Sequence, residues 1–182
     1  MALWEMPEKI LLPSHMFEGQ VGRLRNGDQV MGYIASHGPL CMRPRCLSGG
    51  DPWADQPQRW TAVVHRFSPS GQHLASHSRT GTHPKPAAES GWSSPEETAR
   101  DRQVRADALD SLLKPLKAAG WEDADILVRP FYVFIDGLGH GLALHVEGEN
   151  TEGDEEFDPQ WVRLDPFGFM FHRPWDSGRW DS

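Results

Sequence analysis

The sequence predicts an α+β domain: an antiparallel sheet built from hairpins, with one amphipathic helix packed on one face. Three observations lead there. Strand-like segments with turn residues at hairpin spacing lie on both sides of a single helical pattern. That pattern opens on Ser94-Pro95-Glu96-Glu97 and has a narrow apolar stripe. Glycine (18) and proline (15) are too plentiful in 182 residues for a helical bundle.

The first hairpin is EGQVGRLRNGDQVMGYIA, in which Asn26-Gly27 offers the positive φ angles of a two-residue turn. The segment HGPLCMRPRCLSGGDPWADQPQ reads as a loop, because its prolines and glycines forbid a long ladder. A second hairpin, WTAVVHRFSPSGQHLAS, has Pro69 and Gly71 where a type I turn followed by a bulge would put them. The polar stretch HSRTGTHPKPAAESGW that follows has nothing apolar to pack and is expected to be a loop. Domain organisation is therefore read as an irregular amino-terminal segment with one hairpin over residues 1–59 and the α+β domain over 60–182.

In the helix, Ser94 is the N-cap, Pro95 takes the first helical position and Glu97 completes a capping box. Val104, Ala108, Leu109, Leu112, Leu113 and Leu116 make one stripe, and Asp101 with Arg105 forms an ion pair at i,i+4. Pro115 predicts a kink or an early stop, and Gly120 closes the segment.

The strongest hairpin signal is ILVRPFYVFIDGLGHGLALHVE. With Asp136-Gly137 as a two-residue turn, Ile135 faces Leu138, Val133 faces His140 and Phe131 faces Leu142. One face then carries Phe131, Val133, Ile135, Leu138, Leu142, Leu144 and Val146, apolar except for His140. On the other, Phe134 pairs with Gly139 and Tyr132 with Gly141, each aromatic ring lying over bare backbone, and His145 follows on the same face. Around the Asp165-Pro166 turn one or two further short strands are expected, with Phe169 and Phe171 on one face.

Charge and motifs narrow the function. A formal charge of −8 with no basic stripe argues against nucleic acid, and no apolar run reaches membrane-spanning length. The start MALWEMPEKILLPSHM lacks the basic and apolar regions of a signal peptide, and two cysteines make no disulfide framework, so a reduced, cytoplasmic protein is expected. Gly137, Gly139 and Gly141 are followed by strand rather than helix, which removes a dinucleotide loop. No P-loop, nucleophile elbow or H-E-x-x-H zinc motif occurs, and no cofactor is expected. Cys41 and Cys46, with His37 nearby, are the metal-ligand candidates, but they need a further histidine such as His140 to complete four ligands. His140 itself is expected to be buried, neutral and satisfied by one backbone carbonyl. Seven carboxylates between Glu147 and Asp158, among them Glu152, Asp154, Glu155 and Glu156, lack the spacing of a calcium loop; a solvated loop suited to a basic protein surface remains. The closing aromatics, including Trp175 and Trp180, are expected to fold back on the sheet as core and, second, as interface.

The segments WTAVVHRFSPSGQHL, DILVRPFYVFIDGLGHGLA and the ending FHRPWDSGRWDS resemble a group of small, uncharacterised actinobacterial-type proteins over residues 60–182. Those proteins carry an Asp-Gly hairpin after an Arg-Pro-Phe and finish on a Pro-Trp-Asp-Gly, Tyr-Asp-Thr-like ending. His140 stands where that group has an aromatic, and Trp180 where it has tyrosine. The resemblance implies the fold; some members are labelled formate-hydrogenlyase regulatory proteins, and similar small acidic α+β proteins serve as immunity proteins. The expected function is that of a non-enzymatic protein-binding domain, a regulator or an inhibitor of the immunity kind. Its contact residues would be Tyr132, Phe134, His145, Trp175, Trp180 and the acidic loop. The alternative is a metalloprotein built on Cys41, Cys46 and a histidine.

Overall fold

The computed structural model describes residues 8–17, 20–37, 57–86, 94–146, 160–166 and 169–171; side chains at 16, 37, 57, 58, 84–86, 143–146, 160, 161, 169 and 170 are outside that description. The fold is α+β, and every strand pairing is antiparallel. The strands are β1 (Ile10–Leu12), β2 (Val21–Leu24), β3 (Gln29–His37), β4 (Pro57–Phe67), β5 (His73–Pro86), β6 (Trp121–Asp123), β7 (Ile126–Val128), β8 (Tyr132–Ile135), β9 (Leu138–Val146), β10 (Gln160–Asp165) and β11 (Phe169–Phe171), with α1 (Pro95–Ala118) between β5 and β6. They form a five-stranded sheet in the order β5-β4-β3-β2-β6, a four-stranded sheet in the order β11-β10-β9-β8, and a two-stranded ribbon of β1 and β7.

At its central strands β3 and β4 the five-stranded sheet is buried on both faces. Val30, Trp60, Ala62 and Val64 point to α1 and meet Ala108, Leu109 and Leu113. The alternate residues Met31, Tyr33, Val63 and Phe67 point the other way and meet Leu142, Val162, Leu164 and Phe171 of the second sheet, with Ile10, Leu12, Ile126 and Val128 of the ribbon. A period of two along each strand thus feeds two cores at once. The expected antiparallel sheet with the helix on one face is present, and a second sheet covers its other face.

The helix carries its capping box in full: the Ser94 hydroxyl accepts from the Glu97 N–H, and the Glu97 carboxylate accepts from the Ser94 N–H. Asp101 pairs with Arg105 at 3.1 Å and also meets His83 Nδ1 at 2.9 Å, which ties the helix to β5. The helix runs on past Pro115 to Ala118, so no early stop occurs there. Val104 is half exposed, so the buried stripe begins only at Ala108.

Three local expectations change. Of Asn26 and Gly27 only Gly27 has positive φ, and the Leu24 N–H donates to the Asp28 carbonyl; this is a three-residue type I turn with a bulge, not a two-residue turn. The Ser68–Gln72 turn has the same form, as Pro69 and Gly71 indicated. The polar stretch from His77 to Pro86 is not a loop but the continuation of β5, which pairs with β4 through Pro86. An edge strand bonded on one side only needs no apolar alternation. The boundary at residue 59 falls inside β4, and β2 and β3 are strands of the same sheet as β4.

The ribbon is secured by polar groups. Gln29 acts as a peptide surrogate: its Oε1 accepts from the Leu127 N–H (2.8 Å) and its Nε2 donates to the Leu127 carbonyl (3.0 Å). Asp125 accepts from both the N–H and the hydroxyl of Ser14, and these bonds hold its carboxyl below the usual pKa. Among the described residues no helix is long and apolar enough to cross a membrane.

Leu113, 1% exposed under the sheet, and Val104, 50% exposed on the same helix, give a paired test. Leu113→Ala is expected to cost about 2–5 kcal/mol in urea denaturation, and Val104→Ala to stay within about 0.5 kcal/mol of wild type. Equal losses would show that the stripe is not what holds the helix down.

Candidate functional site

Two arrangements of side chains stand out, on opposite faces of the β8–β9 hairpin. The hairpin has the register read from the sequence, with Ile135 opposite Leu138, Val133 opposite His140, Phe134 opposite Gly139 and Tyr132 opposite Gly141. Asp136 and Gly137 both have positive φ (51° and 82°), as a type I′ turn requires. Period-two alternation then sends Tyr132 and Phe134 outward and His140 inward.

The outer face is an aromatic ledge. Phe134 is 77% exposed and Tyr132 49%. The two rings stand edge to face with centroids 5.8 Å apart, the geometry aromatic quadrupoles favour. Tyr132 does not cover Gly141, its direct neighbour, as expected; its ring leans diagonally over Gly139, where any Cβ would collide with the phenol. The ledge is therefore built on bare backbone. At the hairpin tip the Thr80 hydroxyl donates to the Asp136 carboxylate, tying the turn to β5.

The inner face ends in a buried chain of polar groups. His140 and His65 are fully buried, and so is Tyr33. The Tyr33 hydroxyl lies 3.1 Å from His140 Nδ1, 3.0 Å from His65 Nε2 and 3.5 Å from the Asp165 carbonyl. His65 Nδ1 lies 2.8 Å from the Ser76 hydroxyl, which in turn lies 2.8 Å from His73 Nε2. Phe131 stacks parallel to the His73 ring at 4.9 Å and meets His65 edge-on at 4.8 Å. The chain thus spans β9, β3, β4 and β5 and links the two sheets.

Elementary counting fixes how it works. Neutral His65 has one N–H and one lone pair, so it donates to either Ser76 or Tyr33 and accepts from the other. Two proton orders, running in opposite directions along the chain, satisfy these links. Burial, with His73 and His140 close by, pushes the His65 pKa down to about 3. Burial likewise raises the Tyr33 phenol far above its ordinary value and lowers His73. A group that stays neutral at physiological pH holds layers together rather than taking up protons. His140 is buried as expected, and its Nδ1 meets the Tyr33 hydroxyl.

The remaining expectations divide. His145 lies in β9 opposite Trp161, its side chain outside the description. Glu152, Asp154, Glu155, Glu156, Trp175, Trp180, Cys41 and Cys46 lie outside the described residues, as does the side chain of His37. Phe171 is buried in the core facing Val162, the tied-down position expected of it. Among the described residues no trio of His, Cys, Asp or Glu is placed to hold a metal ion. Tyr33, His65 and Ser76 were not singled out from the sequence, although His65 occupies the inward phase between Val63 and Phe67, the signal that exposed His140. No protein-family model, no curated protein and no solved structure matches the chain.

The chain predicts an acid-sensitive fold. An unfolded His65 titrates near pH 6.5 and the folded one near 3, so between these values the unfolded state binds more protons. Stability is complete above that window and falls as pH drops through it, by at most about 1.4 kcal/mol per pH unit for this one group. Urea midpoints at pH 7, 6 and 5 should show the decline, and His65→Gln should flatten the slope by up to one proton. Parallel slopes for the two proteins would mean that His65 charges without cost.

Proposed function

We propose that this is a protein-binding domain of the cytosol, a regulator or an inhibitor of the immunity kind, with no catalysis of its own. Its contact surface is the aromatic ledge of β8. The observation that carries this reading is the exposure of Phe134, at 77% alongside a half-exposed Tyr132. Water-facing aromatics at this density are costly unless something covers them, and aromatic side chains dominate the energetics of protein interfaces. The ledge is also stiff: Tyr132 has bare backbone beneath it and Phe134 against its edge, so little side-chain entropy remains to be lost on contact. In this reading the carboxylates between Glu147 and Asp158 supply long-range attraction to a basic partner, which sets the rate of encounter more than the final affinity.

Two variants separate the parts. Phe134→Ser should weaken capture of the partner from source-cell extract by about tenfold or more while leaving the thermal midpoint unchanged, because the ring contributes little to the core. Undiminished capture by that variant would remove the ledge from the interface. Reversing Glu155 and Glu156 to lysine should weaken capture at low salt and matter less as salt rises. A salt-independent result would remove the electrostatic component.

A further inference from the structure

We propose that the free edge of β8 pairs with the same edge of a second copy of this chain, joining two four-stranded sheets into one across a two-fold axis. This rests on the binding role of the β8–β9 hairpin but uses its edge, and leaves its outer face open.

β8 is the terminal strand of the four-stranded sheet. In a hairpin with a two-residue turn the residues flanking the turn exchange both hydrogen bonds, and the pattern alternates from there. Ile135 and Val133 therefore bond to β9, and Leu142 N–H to the Phe131 carbonyl at 2.9 Å continues the phase. Tyr132 and Phe134 are left with their N–H and C=O groups pointing out of the sheet. Among the described residues no other strand meets that edge.

The edges of the larger sheet are guarded. β5 carries Arg79, Pro84, Lys85 and Pro86, and β6 is Trp-Glu-Asp. β8 is Tyr-Val-Phe-Ile, without charge or proline, and its ladder with β9 is regular. Such an edge is a template for another strand.

The edge is self-complementary, and geometry selects the register in which two copies pair. Directly opposed residues of an antiparallel pair point to the same face, so outward Tyr132 and Phe134 must meet outward residues. Placing Tyr132 on the axis sets Phe134 against Pro130, which has no N–H to give. Placing Phe134 on the axis sets Tyr132 against Asp136, which belongs to the turn. Placing Val133 on the axis sets Tyr132 of each copy opposite Phe134 of the other. All four outward N–H groups and all four carbonyls are then paired, and aromatic rings meet twice.

Sedimentation equilibrium of the full chain should give twice the 20.5 kDa chain mass, falling toward it on dilution. Phe134→Pro removes one outward N–H and no β8–β9 bond, so it should be monomeric with an unchanged circular dichroism spectrum. In a Cys41→Ser/Cys46→Ser background, Val133→Cys should form a disulfide-linked dimer on mild oxidation, since non-hydrogen-bonded neighbours sit about 4.5 Å apart at Cα. Ile135→Cys should not, because its two copies would lie about 13 Å apart. A 20.5 kDa species at every concentration, or equal cross-linking at 135 and 133, overturns the proposal. A monomeric wild type that still loses its foreign partner on Phe134→Ser overturns self-pairing and leaves the ledge reading standing.

Discussion

The central constraint on this fold is that β3 and β4 are covered on both faces. A strand so placed cannot alternate apolar and polar residues, which is why Val30-Met31 and Ala62-Val63-Val64 run as unbroken apolar stretches. It also leaves no water for a polar side chain that does point inward. Tyr33, His65 and Thr61 do point inward, and burying such groups without partners costs a few kcal/mol each. Hydroxyls of Tyr33 and Ser76 placed between imidazoles meet that requirement, as does the Thr61–Thr80 hydroxyl pair at 3.2 Å. The polar chain follows from the two-sided burial.

The parts of the fold legible in the sequence are those whose physics is local. The capping box at Ser94, the Asp136-Gly137 turn and the pleat of the hairpin beyond it depend on residues within a few positions of one another. Each is present as the residues indicated. What was not legible depends on distant partners. β1 pairs with β7 through three residues on each side, more than a hundred positions apart, and neither strand has a turn to announce it. Hairpin rules say which neighbours pair but not which hairpins share a sheet, so a second layer could not be separated from the first. The polar end of β5 failed for another reason. Its neighbour β4 supplies the ladder, and no apolar pattern was needed to hold it.

The candidate site divides in the same way. Tyr132 and Phe134 were placed correctly because their outward phase follows from one turn. The buried chain needed knowledge that the inward faces of β3, β4 and β9 meet in one core, and that contact is tertiary. His140 alone could be picked out, as the one polar residue in an apolar row, but its partner on β3 could not. Even Tyr132 leaned farther than expected, because a ring with no Cβ at Gly139 to stop it settles along the diagonal.

Ledge and polar chain share one hairpin, and the pleat couples them. Val133 stands directly opposite His140, one residue from both exposed rings, and Phe131 at the foot of β8 packs on His65 and His73. The exposed surface is therefore backed by the buried polar chain. A proton on His65 would place a charge in the core between the two sheets, against the Phe131 ring at the foot of β8. A surface that is apolar, exposed and stiff needs such backing: without it the same aromatics would collapse onto the nearest apolar neighbour and no longer present a fixed shape.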